Sequence, residues 1–263
     1  MYTRGKEPLD LTYFEQWVLK EYSIDLSAYK SNQLHRRILS LMSRVGANSV
    51  EEYITLLKKE PKQKQKFLDF ITINVSEFFR NPEIFEELKE KLKNELLLNN
   101  KSLKIWSAAC SIGAEPYSIA MILNSLSGNY NHKILATDID NTILERAKKG
   151  EYSISEIKNI RKEYMDKYIS VKDDRYTVDI KIRNMVNFKK HDLILENYEV
   201  KFDLIVCRNV VIYFNQDIKD KIYKKFSQSL VKGGLLFVGA TESIYNYKEY
   251  GFEKASTFIY RKL

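Results

Sequence analysis

Polar and apolar positions along the chain follow two rhythms. Up to about residue 72, apolar side chains recur every three or four positions, the spacing of one-sided helices, and strand-like alternation is missing. This predicts helices over residues 11–21, 32–45 and 50–59, and a fourth starting near Lys62. In the second, Leu34, Ile38, Leu41 and Val45 share one face. Arg37 and Arg44, with Lys30 just ahead of the helix, recur at seven-residue spacing beside that face. Such a stripe is most often solvated surface and otherwise a docking face; spacing alone leaves both open.

Past Asn74 the rhythm changes. Short apolar runs at 103–109, 133–137, 186–189, 202–207 and 235–240 alternate with helical stretches at 83–98, 116–125, 141–149 and 216–230. That alternation is the signature of a doubly wound parallel sheet. Gly233 and Gly234 read as the stop of the last helix. Two close runs, 252–255 and 256–261, can pair as an antiparallel hairpin at the sheet edge. A small β insert at about 165–185 is expected from the runs 168–171 and 176–182, which flank a turn at Asp173 and Asp174. The chain therefore divides into a helical domain over 1–72 and an α/β domain over 73–263.

Composition narrows this only slightly. With 44% hydrophobic and 30% charged residues in 263, the chain is ordinary globular protein. The net charge of +8 favours acidic partners, whether nucleic acid, anionic lipid or a protein surface. Charges at Arg4, Lys6, Glu7, Asp10 and Glu15 leave no room in residues 1–20 for a signal-peptide core or a membrane span. Cys110 and Cys207 stand far apart, with no CxxC pair and no histidine cluster. Neither a disulfide framework nor a metal site is suggested, and a cytoplasmic location fits.

Candidate chemistry gathers where strands end. The first strand runs into Ser107-Ala-Ala-Cys-Ser-Ile-Gly113-Ala-Glu115-Pro116-Tyr117-Ser118, a turn of small residues opening onto a helix. Ligands of open α/β sheets lie outside such carboxyl ends, and small side chains admit close approach to the backbone. Tight packing alone would also explain the composition. The spacing matches neither GxGxxG nor GxxxxGK[ST], which counts against a dinucleotide or a triphosphate. The second strand ends in Ala136-Thr-Asp138-Ile-Asp140, about twenty-five residues after Gly113, where an acidic side chain can accept both ribose hydroxyls. Asp138 is the candidate for that role; Asp140, before Asn141 and Thr142, suits a helix cap. Another strand breaks abruptly from Leu204-Ile-Val206 into Cys207-Arg208-Asn209-Val-Val-Ile-Tyr213-Phe214. The segment Thr72-Ile-Asn74-Val-Ser76-Glu-Phe78-Phe79-Arg80-Asn81-Pro82 joins the two domains.

On these four segments, taken in order, the sequence resembles the bacterial chemotaxis receptor (protein-glutamate) O-methyltransferases, the CheR family. The matching patterns are Asn-x-Ser/Thr-x-Phe-Phe-Arg at 74–80, Ala-Ala-x-Ser-x-Gly-x-Glu-Pro-Tyr-Ser from Ala108, Ala-Thr-Asp-Ile-Asp from Ala136, and Cys-Arg-Asn-Val-x-Ile-Tyr-Phe from Cys207. The resemblance runs over essentially the whole chain. It implies a Rossmann-like class I methyltransferase domain behind the helical one, with S-adenosylmethionine as methyl donor and S-adenosylhomocysteine as product. Implied cofactor contacts are Asn74, Ser76, Arg80, Glu115, Asp138, Asp192, Leu193, Arg208 and Asn209. Ser76 stands where threonine is usual, Asp192 where asparagine occurs, and Ala114 replaces a frequent glutamate.

Methylation of a carboxylate needs no general base, because a solvated glutamate is already ionised at neutral pH. Arg80 and Tyr213 are the expected orienting groups, since a guanidinium and a phenol hold a carboxylate without taking a proton from it. The resemblance makes the helical domain receptor-facing, with Lys30, Arg37 and Arg44 meeting the cytoplasmic helical part of methyl-accepting receptors. It also implies a monomer that does not insert into the membrane. Some family members hold a receptor's C-terminal pentapeptide with a glycine-rich insert; here residues 171–177 lack glycine, and independence from that tether is expected. The alternative is a nucleic-acid methyltransferase of the same fold, encouraged by the basic balance and 18 tyrosines. Against it, no Asn/Asp-Pro-Pro-Tyr run and no concentrated basic, aromatic groove is present.

Overall fold

The computed structural model describes residues 10–72, 76–128 and 131–263. The chain separates into two compact units, one of residues 1–73 with 213–218, the other of 74–212 with 219–263. Segment 213–218, expected with the α/β domain, thus packs among the helices.

The first unit holds α1 (Thr12–Tyr22), α2 (Ser31–Arg44), α3 (Val50–Lys59) and α4 (Pro61–Thr72). Their apolar faces meet around Phe14, whose ring stacks on Tyr53 at 5.7 Å and meets the Phe67 edge at 5.5 Å. Each such buried side chain contributes roughly 1.5–3 kcal/mol. Helix α3 starts cleanly because Ser49 Oγ accepts the Glu52 N–H and Glu52 Oε2 reaches back to the Asn48 N–H. In α2 the core face is Leu34, Ile38, Leu41 and Met42; Val45 lies just past the helix end and is only half-buried. Segment 213–218 is tied in at its start. Tyr213 O accepts the Lys30 N–H, Ala28 O accepts the Asn215 N–H, and the Phe214 ring meets Tyr29 edge-on at 5.0 Å.

The second unit opens with α5 (Pro82–Lys91), which widens through a π-turn (Leu92–Leu96) into α6 (Leu97–Asn99). Then follow β1 (Lys104–Ala108), α7 (Ala114–Ser127), β2 (Lys133–Asp138) and α8 (Asn141–Lys149). An insert comprises β3 (Glu151–Tyr152), α9 (Ile154–Ile157), α10 (Lys162–Tyr168), β4 (Ile169–Lys172) and β5 (Arg175–Val178). The chain closes with α11 (Ile180–Arg183), β6 (Val186–Lys190), β7 (Phe202–Cys207), α12 (Gln216–Ser229), β8 (Leu230–Val238), β9 (Phe252–Lys254) and β10 (Ile259–Lys262).

The main sheet has the order β6-β2-β1-β7-β8-β10-β9, with β10 antiparallel to both neighbours and the other pairs parallel. Ile105, Leu204, Val206, Leu235 and Phe237 of its central strands are fully buried, as helices on both faces require. From β1 the chain winds outward through β2 to β6, then returns to place β7 on the other side of β1. The direction of winding therefore reverses between β1 and β7, and their carboxyl ends open the crevice where such sheets bind ligands.

Two expectations change in detail. Gly233 and Gly234 do not end the helix, which stops at Ser229; they lie inside β8, where the register with β7 slips between Phe202 and Leu204. Gly233 has φ +80°, and a Cβ on Gly234 would come within 2.9 Å of Val231 O, so both serve a bulge. The insert is a three-stranded sheet, β3-β5-β4, not a bare hairpin. Its turn falls at Asp173 and Asp174, both left-handed, while Ile182 belongs to α11 and is buried.

Candidate functional site

Three of the loops of the α/β unit that carry candidate residues are backbone-strained. Phe79 and Asn81, Ala109 and Ser111, and Asn209 adopt φ between +48° and +61°. A left-handed non-glycine residue costs roughly 1–2 kcal/mol, so each is held by its surroundings. Ser118 Oγ accepts the Phe79 N–H at 3.0 Å and donates to Ala114 O at 2.7 Å, tying segment 76–82 to the first turn of α7. Gly113 has φ +84°, and a Cβ there would meet Ala147 at 2.9 Å and Phe188 at 3.1 Å. Its small size serves packing against α8 and β6.

Glu115, in the first turn of α7, lies opposite Arg208 at the end of β7. Arg208 Nη1 stands 3.6 Å from Glu115 Oε2, while Ser107 Oγ donates to Glu115 Oε1 at 2.8 Å. Arg208 Nη2 donates to Arg80 O at 2.8 Å and to Asn81 Oδ1 at 3.2 Å, and its guanidinium lies 5.0 Å from the Phe85 ring centre and 4.8 Å from that of Phe237. One side chain thus joins segment 76–82, α7 and β7. Burial works against charge on both partners: it pushes the Glu115 carboxyl up and the Arg208 guanidinium down, while each draws the other back toward its ionised form.

Asp138 ends β2. Its Oδ2 accepts the Ser111 N–H at 2.8 Å and its Oδ1 the Asp140 N–H at 3.1 Å, so it braces the β1 turn. Burial raises its pKa to about 6 against the pull of these bonds. Asp140 caps α8, as its position before Asn141 implies, accepting from Thr142 and Ile143. After β6, Asp192 Oδ1 accepts the N–H groups of Ile194 and Leu195, and Leu193 O accepts the Tyr198 hydroxyl at 2.6 Å. Leu193 is buried.

Glu242, which the sequence did not single out, accepts backbone N–H groups from Asn209 (2.6 Å), Val210 (3.0 Å) and Gly239 (2.8 Å), and from Ile212 at 3.4 Å. The only signal was a charge four residues after the apolar run of β8.

Arg80 and Ser76 are half-buried in the α/β unit, and Asn74 lies outside the described residues. Tyr213 belongs to the helical unit, half-buried, with Arg37 6.0 Å from its ring. Arg37 stacks over Phe70 at 4.6 Å and Arg44 approaches the same ring at 5.7 Å. Lys30 and Arg44 are exposed while Arg37 is half-buried, so the stripe is not uniformly solvated.

Ser111 Oγ, Asp192 Oδ2 and Arg208 Nε, on the loops after β1, β6 and β7, are buried and have no hydrogen-bond partner among the described residues. Two acceptors and a donor left over at a strand-end crevice suit a polar nucleoside ligand such as S-adenosylmethionine. No group of three or more His, Cys, Asp or Glu able to hold a metal occurs among the described residues, and no helix there is long and apolar enough to cross a membrane.

The model of the CheR methyltransferase SAM-binding domain matches residues 74–259, and that of the CheR methyltransferase all-alpha domain matches residues 9–72. A chemotaxis protein methyltransferase of Listeria monocytogenes is 40% identical over 254 residues, spanning 96% of this chain and 97% of that protein. Proteins of the same name from Borreliella burgdorferi and Escherichia coli are 36% and 31% identical, over 92% and 87% of this chain and 90% and 82% of theirs. None of the three is named for a nucleic-acid substrate. The chain therefore belongs to the CheR methyltransferase family and is an S-adenosylmethionine-dependent methyltransferase.

Proposed function

We propose that this chain methylates glutamate side chains on the cytoplasmic helical region of chemotaxis receptors, forming glutamyl methyl esters. The observation that carries the reading is the near full-length match to proteins named chemotaxis protein methyltransferase, helical part included. Bound S-adenosylmethionine supplies an electrophilic methyl carbon on a sulfonium. The glutamate oxygen would take that methyl group as the carbon–sulfur bond broke, giving a methyl ester and S-adenosylhomocysteine, with no proton to move.

In this reading Asp138 accepts the ribose hydroxyls, having a lone pair left on each oxygen beside its backbone bonds. Asp192 Oδ2, buried and unpartnered, takes the exocyclic amine of adenine, with Leu193 alongside. Asn74, Ser76, Arg80, Glu115, Arg208 and Asn209 hold the amino-acid end of the cofactor; for Asn74 this rests on the sequence pattern alone. Glu115 and Arg208 enter pre-paired, so little reorganisation is needed on binding.

Arg80 and Tyr213 orient the incoming carboxylate. Positioning of this kind supplies several kcal/mol of the barrier reduction, and a solvated glutamate needs no base. Lys30, Arg37 and Arg44 face the receptor, where their charge favours an acidic helix bundle. The enzyme acts as a cytoplasmic monomer. A tritiated methyl-transfer assay on receptor fragments tests the reading: base-labile label on the receptor supports it, and label stable to base, or found only on RNA, overturns it.

A further inference from the structure

A carboxylate within an irregular loop, 4% exposed, needs an account. Glu242 spends both oxygens on main-chain donors. Oε2 takes the N–H of Asn209 and of Gly239, and Oε1 takes those of Val210 and Ile212. Four N–H donors converging on one side chain require acceptor lone pairs on both of its terminal atoms; a carboxamide would turn an N–H₂ group against two of them. The neighbourhood is shaped around the contact. A Cβ on Gly239 would fall 2.5 Å from Glu242 Oε2 and 3.0 Å from Asn209 N. Asn209 is held at φ +61°, a conformation the chain would otherwise leave.

The geometry points to Glu242 as a positioning residue for methyl transfer, acting through the backbone of residues 209–212. This rests on the function proposed above, because that stretch begins at Arg208 and Asn209, assigned to the cofactor. Glu242 makes no contact with the reacting atoms in this role. It sets where the stretch lies, and an error of an ångström there is costly to alignment.

Glu242→Gln in the full-length protein tests this, assayed well below its unfolding midpoint so that all molecules are folded. The variant should bind S-adenosylhomocysteine about tenfold more weakly, roughly 1.4 kcal/mol. At saturating cofactor its kcat should fall about a hundredfold. Glu242→Asp, which keeps the charge one methylene short, should recover part of kcat. If Glu242→Gln does not fold, Gly239→Ala displaces the same carboxylate with its charge intact and should give the same pair of losses. Wild-type affinity and kcat per folded molecule in these variants, with only the unfolding midpoint lowered, would make Glu242 a loop staple and overturn the assignment. Failure of the wild-type protein to bind S-adenosylhomocysteine, seen in the same titration, would instead strike the site reading itself.

Discussion

Arg208 and Glu115 face each other out of water, 3.6 Å apart, with 2% and 12% of their side chains exposed. A buried ion pair adds little net stability over an apolar pair of the same shape, but removing one partner strands the other charge. Glu115→Gln should therefore lower unfolding stability by about 3 kcal/mol in a denaturant titration. It should also weaken S-adenosylhomocysteine binding, because Arg208 would lose one of the contacts that aim it. A loss below about 1 kcal/mol would mean that solvent or another acid already balances Arg208.

Asp138 gives a pH signature. Its folded pKa of about 6 lies above the ordinary 3.8, because burial outweighs the two backbone bonds. The group's contribution to stability is therefore full below about 3.8 and is lost as the pH rises through about 6. In the ribose-binding role proposed for Asp138, cofactor binding runs the other way, since the ionised carboxylate is the better acceptor for hydroxyls. Between pH 7 and pH 5 the affinity for S-adenosylhomocysteine should fall roughly tenfold, and calorimetry should show proton release on binding near pH 6. Asp138→Asn should remove most of that slope. An unchanged slope in the variant would assign the titration to another buried acid, with Glu115 the first to examine.

How far these features could be seen in the sequence depends on what makes them. Strand ends were legible because an apolar run stops abruptly at a polar residue, as at Val206-Cys207-Arg208, and Asp140 because a cap is a local arrangement. Glu242 was not, since its partners are backbone groups, three of them about thirty positions earlier, brought near only by adjacent strands β7 and β8. Gly233 was misread because a bulge and a helix stop ask the same thing of a glycine, a positive φ. The two residues of β3 are too few to show a period. That Tyr213 packs with Lys30 and Arg37 is a property of the folded chain, and no spacing encodes it.

Arg80→Ala and Tyr213→Phe separate chemistry from folding. Neither side chain is fully buried, so each variant should unfold within about 1 kcal/mol of wild type. In the orienting roles proposed for them, each should lower kcat for receptor methylation by at least about tenfold, because alignment of the carboxylate would lose a fixed donor. Tyr213→Phe should leave the affinity for S-adenosylhomocysteine nearly unchanged, whereas Arg80→Ala should weaken it. Near-wild-type turnover in both variants would remove these two residues from the reaction.

The last prediction divides charge from shape in the helical unit. Arg37 is half-buried, stacked on Phe70 and 6.0 Å from the Tyr213 ring, while Arg44 is exposed at the edge of the same aromatic. If both served only to attract an acidic receptor, Lys would replace either at no cost. A planar guanidinium stacks on a ring in a way an ammonium does not, so Arg37→Lys should lower receptor methylation several-fold with the charge preserved. The loss should persist at high salt, since stacking between partly desolvated groups is poorly screened. Arg44→Glu should instead slow methylation at low salt, and the defect should shrink as ionic strength rises and the Debye length falls below about 10 Å. Arg37→Lys with full activity would return Arg37 to the role of a docking charge. Salt-independent loss in Arg44→Glu would show that Arg44, too, acts through the Phe70 stack.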